Sequence, residues 1–138
     1  MSATVLYRIA SIVLILFAAG HTTGFLTFKP PSAEGIAVHD AMNNVHFEVG
    51  GKPFTYGSFY KGFGLYITVY LLFSALVAWH LGSLAATHPE AVGMLGWAFV
   101  AMQLVSVVLS WVYFFPVTAI FSAVAALCSG WATVLAQR

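Results

Sequence analysis

The residues of this chain that could carry out chemistry are its histidines and carboxylates. Polar side chains collect between residues 29 and 57, and His21 stands shortly before that segment. Imidazole and carboxylate groups bind zinc, iron or manganese, and imidazole also transfers protons near neutral pH. The candidates for metal binding are His21, His39, Asp40, His46 and Glu48, and those for proton transfer are His21 or His46 with Asp40 or Glu48.

The spacing of these groups bears on whether they form a metal site. His39 and His46 are seven residues apart, which on a straight helix puts them on one face but about 10 Å apart. That is too far for two ligands of one ion, and no motif such as His-Glu-x-x-His is present. We therefore assign no metal ligands, since a metal site would need a broken helix or His21 as a bridge. The alternatives are histidines scattered on a solvated loop helix, or a polar mouth that contacts an organic ligand or a partner chain.

An aromatic stripe at helical spacing follows the polar segment. Its members recur at intervals of four, three, four and three residues, which puts them on one helix face. Packing is the more common role of such a stripe, and the alternative is an apolar cleft for a sterol, a quinone or another lipid-like molecule. The stripe consists of Phe59, Phe63, Tyr66, Tyr70 and Phe73, with Tyr56 and Tyr60 beside its start.

Three polar residues stand inside otherwise apolar segments and complete the candidate ligand-binding set. His21 faces either the bundle interior or a hydrogen-bond partner at the interface. Lys61 extends to the lipid headgroups, pairs with a carboxylate of the polar segment, or holds an anionic group. Gln103 bonds across helices or forms the polar floor of a cavity. The full candidate set is His21, His39, Asp40, His46, Glu48, Tyr56, Tyr60, Lys61, Phe63, Tyr66, Tyr70 and Gln103.

The composition identifies the solvent in which these residues must be positioned. The chain is 61% hydrophobic and only 7% charged, whereas soluble domains carry about 25% charged residues. Its mean hydropathy of +0.93 predicts an integral membrane protein. A net charge of +1 gives no electrostatic basis for binding nucleic acid. The single cysteine, Cys128, excludes an intrachain disulfide.

Four stretches are long and apolar enough for membrane-spanning helices, which need about 20 residues each. None alternates with the period of a barrel strand. We therefore predict an all-α fold, a four-helix transmembrane bundle that forms a single transmembrane domain, with a short helix in the first loop. The first stretch is expected to be a retained span and not a cleaved signal peptide. The predicted spans are residues 4–28, 59–86, 91–115 and 116–136, and the polar loop is residues 29–57.

Prolines predict the ends of the spans. Lys29-Pro30-Pro31 ends the first, and Pro89 opens the third. Phe114-Phe115-Pro116 separates the last two; one kinked helix is the alternative there, but about 46 residues is too long for a single span. This topology places His21 and His80 near opposite ends of the first two spans, so they cannot share a haem.

The polar loop carries its own helix signals. A helix is predicted over residues 32–49, with Ser32 as N-cap and Glu34 in the first turn. Residues 50–53 then predict a turn by composition. Positive charges are spread over both sides of the predicted bundle, so they indicate no membrane orientation.

Two stretches carry a resemblance to a known family. They are Gly20-His21-Thr22-Thr23-Gly24 at the end of the first span and FTYGSFYKGFGL at residues 54–65, with Ala41-Met42 and His46-Phe47 between them. Together they resemble a family of small four-span bacterial membrane proteins of uncharacterised function. The resemblance extends through the second span. It implies a four-span protein of the bacterial inner membrane, and it implies no activity, cofactor or catalytic residue.

Three functional hypotheses follow. The leading one is a non-catalytic membrane protein that binds a lipophilic small molecule, or a partner subunit, on the side of the polar loop. The first alternative is a membrane enzyme of isomerase type, with His21 or His46 as general acid or base for a lipid-like substrate. The second is a structural subunit. The expected partners are membrane lipid and either further copies of the chain or a larger membrane complex.

Overall fold

The computed structural model describes all 138 residues and is helical apart from one small hairpin. Four of its helices are long and apolar enough to cross a membrane. The predicted all-α, four-helix transmembrane bundle with a short helix in the first loop is therefore confirmed. The long helices are α1 (Ala3–Thr27), α3 (Tyr56–Thr87), α4 (Gly93–Tyr113) and α5 (Pro116–Ala136), and the first loop holds α2 (Ala33–Asn44), β1 (His46–Val49) and β2 (Lys52–Thr55).

The helix boundaries follow the proline signals with one adjustment. Pro89 opens a short 3-10 turn, Pro89–Ala91, and α4 itself begins only at Gly93. Phe114 and Phe115 separate α4 from α5, so the alternative of one kinked helix is wrong. Proline lacks a backbone N–H and is tolerated in the first turn of a helix, which is where Pro116 stands.

The first loop differs from the prediction in its second half. The side chain of Ser32 caps α2 by accepting a hydrogen bond from the Gly35 N–H at 3.1 Å, as predicted. The helix ends at Asn44, however, and the predicted continuation to residue 49 is wrong. His46–Val49 instead pairs with Lys52–Thr55 as an antiparallel hairpin.

The hairpin is explained by the two glycines at its turn. Gly50 and Gly51 have φ angles of 59° and 75°, the left-handed values that a two-residue type I′ turn requires at both central positions. Such a turn joins strands at once, so the turn predicted over residues 50–53 is restricted to its first two residues. The two glycines thus override the helical pattern that precedes them.

The chain forms two compact units. The bundle unit comprises Met1–Ala18 and Tyr70–Arg138. The loop unit comprises Ala19–Val69.

Small residues fill most of the interior of the bundle unit. The buried positions recur every three or four residues, so each helix presents one narrow face inward. Large apolar side chains of the same helices are exposed, which is the arrangement expected when lipid is the surrounding solvent. Buried examples are Ala10, Ser11, Ala75, Ala78, Ala125, Ala126, Ser129 and Ala132, and exposed examples are Ile12, Ile15, Leu72, Leu76, Leu127 and Trp131.

Hydrogen bonds between helices connect the polar groups of this interior. The hydroxyls of Tyr7 and Thr133 lie 2.7 Å apart. The Ser11 hydroxyl donates to the carbonyl oxygen of Ala75 at 2.8 Å. Because these side chains are buried within the protein, each such bond satisfies a polar group that would otherwise have no partner.

Gly96 tests how tightly this interior is packed. A Cβ at Gly96 would lie 2.8 Å from the Tyr7 hydroxyl oxygen and 2.9 Å from Thr133 Oγ1. We therefore expect Gly96→Ala to lower the free energy of unfolding by about 1–3 kcal/mol, measured by thermal unfolding in detergent. Gly93→Ala is the control on the same helix, since nothing lies within 4 Å of its Cβ position. Equal melting temperatures for the two variants would contradict this packing.

Candidate functional site

A cavity of about 500 Å³ lies within the loop unit. Its size falls inside the range of about 300–1,000 Å³ typical of small-molecule sites. The end of α1 and the segment after it, one face of α2, and the first residues of α3 form its walls. The lining residues are Phe25, Leu26, Phe28, Pro30, Pro31, Gly35, Val38, His39, Met42, Asn43, Gly57, Tyr60 and Lys61.

The capped helix α2 presents one face to the cavity. Its lining positions fall at residues 35, 38, 39, 42 and 43, the spacing of a single helix face. The carboxyl group of Glu34 accepts hydrogen bonds from its own backbone N–H and from the Ser32 hydroxyl, which together hold its pKa below the ordinary value. These contacts fix the start of α2.

Two glycines allow the walls to approach closely. A Cβ at Gly35 would lie 2.9 Å from Pro30 Cβ, and one at Gly57 would lie 2.5 Å from Asn43 Oδ1. α2 therefore lies directly against the turn that precedes it and against the start of α3. The cavity is bounded by these contacts and by the side chains of α1.

His21 supports the wall and does not line the cavity. Its Nε2–H donates to the Gly64 carbonyl oxygen at 3.0 Å. Its ring stacks on Phe25, with centroids 5.9 Å apart, and Phe25 in turn contacts the Tyr60 ring at 5.4 Å. Because Phe25 and Tyr60 both line the cavity, His21 fixes the position of an aromatic wall.

Few polar groups reach the cavity. Asn43 Nδ2 donates to the His39 carbonyl oxygen at 2.8 Å, and His39 Nδ1 lies 3.8 Å from an Asp40 carboxylate oxygen. Lys61 takes part in neither of the two ion pairs of the chain, which involve His39 and His88. Of the predicted candidates, His39, Tyr60 and Lys61 line the cavity.

The other predicted candidates of the first loop lie outside the cavity. His46 Nδ1–H donates to the Asn44 carbonyl oxygen at 2.8 Å, and its side chain is exposed. Asp40 and Glu48 are exposed as well. No three histidine, cysteine or carboxylate side chains converge on one point.

Tyr56 and Phe63 belong to an aromatic cluster that packs the hairpin on the start of α3. The Phe47 ring lies 4.8 Å from Tyr56 and 5.3 Å from Phe59, and Phe59 contacts Phe63 at 6.2 Å. Packing therefore accounts for this part of the predicted stripe. Tyr66 is 76% exposed and contacts none of these rings.

Two predicted candidates belong to the bundle unit. The Tyr70 hydroxyl lies 2.8 Å from the Ser106 hydroxyl, which joins α3 to α4. Gln103 is fully buried, and its Nε2 has no hydrogen-bond partner. The interhelical bond expected from this amide nitrogen is therefore not present.

Most of the apolar lining was missed by reasoning from the sequence. Val38, Met42 and Asn43 share the α2 face with His39, a signal that helical spacing provides once the helix is assigned. Phe25 and Phe28 gave no local signal, because their role depends on where the chain returns after the prolines.

Gly64 provides a test of the wall contacts. A Cβ at Gly64 would overlap the Phe25 ring, so Gly64→Ala should displace this wall and destabilise the loop unit by about 1–3 kcal/mol. Hydrogen exchange of the amides of residues 19–69 measures the effect. Gly62→Ala is the matched control in α3, because its Cβ position is open. Equal exchange in the two variants would show that Phe25 moves aside without cost.

Comparison of the chain with protein-family models, with curated proteins and with solved structures found no match. The resemblance to small four-span bacterial membrane proteins therefore stays a prediction.

Proposed function

We propose that this is a protein of the bacterial inner membrane that binds a lipophilic small molecule in the cavity of the loop unit. The observation that carries the proposal is the cavity itself, preformed in a chain with four helices able to span a membrane. Sites for small molecules are typically concave and mostly apolar, with a few polar groups that fix orientation. The cavity has this character.

The walls suit an apolar ligand with flat or flexible parts. Phe25, Phe28 and Tyr60 offer ring surfaces, and Met42 adds an unbranched thioether that adapts to irregular shapes. Covering apolar ligand surface is worth about 25 cal/mol for each square ångström only when the ligand comes from water. For a ligand that enters from the bilayer, the selective contribution is the fit of its shape to these walls, because lipid is already an apolar solvent.

The rim favours entry from an apolar phase. Leu26, Phe28 and Val38 line the cavity and are each about two-thirds exposed, at 60%, 62% and 61%. A ligand that reaches the cavity between these side chains crosses no charged barrier. A lipid-like molecule delivered by the bilayer fits this rim better than a water-soluble metabolite.

The enzyme alternative is less well supported by the geometry. The Nε2 of His21 is bound to a backbone carbonyl, and His46 is bonded to the Asn44 carbonyl oxygen outside the cavity. Neither imidazole lies among the lining residues. The histidine that lines the cavity is His39, whereas the enzyme hypothesis assigns the general acid or base to His21 or His46.

Val38→Trp tests the proposal by filling the cavity. The protein in nanodiscs of zwitterionic lipid is titrated with a neutral solvatochromic dye such as Nile red, and empty nanodiscs supply the background. We expect saturable binding of about one dye per chain, weakened at least tenfold by Val38→Trp because the indole occupies the same space.

Ile36→Trp is the control, because Ile36 is exposed on the same helix and does not line the cavity. Circular dichroism confirms that both variants are folded. Dye binding that never saturates, or that is weakened equally by both substitutions, would show that the dye does not bind in this cavity.

A further inference from the structure

We infer that the ligand of this cavity is an amphiphile whose anionic head group is held by Lys61. The inference rests on the proposed function, because it concerns the same cavity. It adds the charge and the polarity of the molecule, which the apolar walls alone do not define.

The charge of the lining is one-sided. Lys61 is the only lysine or arginine in the cavity wall, and no aspartate or glutamate lines it. The carboxylates of Asp40 and Glu90 lie beside His39 and His88 and not beside Lys61. Lys61 thus lines an apolar cavity as an exposed residue, and it has no acidic partner from the protein.

An ammonium group beside apolar walls gains from a counter-ion. Partial loss of hydration disfavours an unpaired charge, whereas a charge-assisted hydrogen bond to an anion restores a strong partner. Extension of the Lys61 side chain into water would instead hydrate the ammonium outside the cavity. Because Lys61 stands in the cavity wall, one ligand can place its apolar chain along the aromatic rings and its anionic head group on the ammonium.

Neighbouring groups fit an anionic acceptor better than a cation. Tyr60 lies next to Lys61 in α3, lines the cavity, and its hydroxyl makes no hydrogen bond within the chain. A hydroxyl can donate to a carboxylate or phosphate oxygen. One hydrogen of the Asn43 amide nitrogen is used on the His39 carbonyl. The Tyr60 hydroxyl and the Lys61 ammonium are neighbouring donors on α3 that a single head group can use together.

The chemistry shared by the expected ligands is an apolar chain with a carboxylate or phosphate head. Two sources supply it, a single-chain amphiphile such as a fatty acid and an anionic phospholipid of the bilayer. A cationic or neutral amphiphile would use the same walls but would leave the ammonium unpaired. Preference for the anion is therefore the property to measure.

Displacement of Nile red by palmitate and by hexadecanol measures this preference at equal chain length. In nanodiscs of zwitterionic lipid we expect palmitate to displace the dye at about five- to tenfold lower concentration than hexadecanol. Lys61→Gln should abolish this difference, so that palmitate displaces the dye no better than hexadecanol does. Lys61→Arg should retain the difference, because it retains the charge.

Lys52→Gln is the matched control, since Lys52 lies on β2, is exposed, and is not part of the cavity wall. Equal displacement by palmitate and hexadecanol in the unmodified chain, or a difference that survives Lys61→Gln, would overturn the inference. An equal loss in Lys52→Gln would also overturn it, because the preference would then come from surface charge. In all three cases, saturable dye binding sensitive to Val38→Trp would leave the proposed function intact.

Anionic phospholipid in the nanodisc distinguishes the two sources. If it lowers dye binding to the unmodified chain but not to Lys61→Gln, the ligand is a bilayer phospholipid. If it has no effect while palmitate still displaces the dye, the ligand is a single-chain amphiphile. Absence of any saturable dye binding would instead remove the proposed function, and the inference with it.

Discussion

Helices surrounded by lipid gain little from burying apolar surface against one another, because lipid tails are as apolar as the side chains. Close approach of backbones and hydrogen bonds between helices must hold them together instead. The bundle unit meets this constraint with alanine and serine on its inner faces, and with Tyr7 bonded to Thr133 across the interior. The same constraint leaves leucine, isoleucine and tryptophan on the outside, which in water would expose them to aggregation.

The loop unit is held together by different contacts from those of the bundle unit. Only Gly57 and Gly64 are buried in it, and its larger side chains are half-buried or exposed. Glycines bring its backbones together locally, aromatic contacts join the hairpin to α3, and a cavity remains between α2 and its neighbours. This cavity is the feature of the loop unit on which the proposed binding function rests.

The spans could be predicted because composition and length alone decide them, and prolines mark their ends. The N-cap role of Ser32 could also be predicted, because the capping hydrogen bond joins residues that are close in the sequence. The hairpin was not predicted, because the helical pattern of the polar loop extends to residue 49. The two-residue turn at Gly50-Gly51 instead pairs residues 46–49 with residues 52–55 as strands. For the site, the sequence predicted a set of mainly titratable and aromatic residues, of which His39, Tyr60 and Lys61 line the cavity. The role of Phe25 could not be seen, because it depends on tertiary placement beyond the prolines.

The connection between α4 and α5 has a consequence for how the chain enters a membrane. Two phenylalanines form it, and both flanking helices are long enough to span. So short a connection keeps the two helices adjacent from the moment of synthesis, as an antiparallel pair. Since no residue from Gly93 to Ala136 is charged, the pair can be inserted as one hairpin, and its tip can cross the bilayer without the transfer of any formal charge.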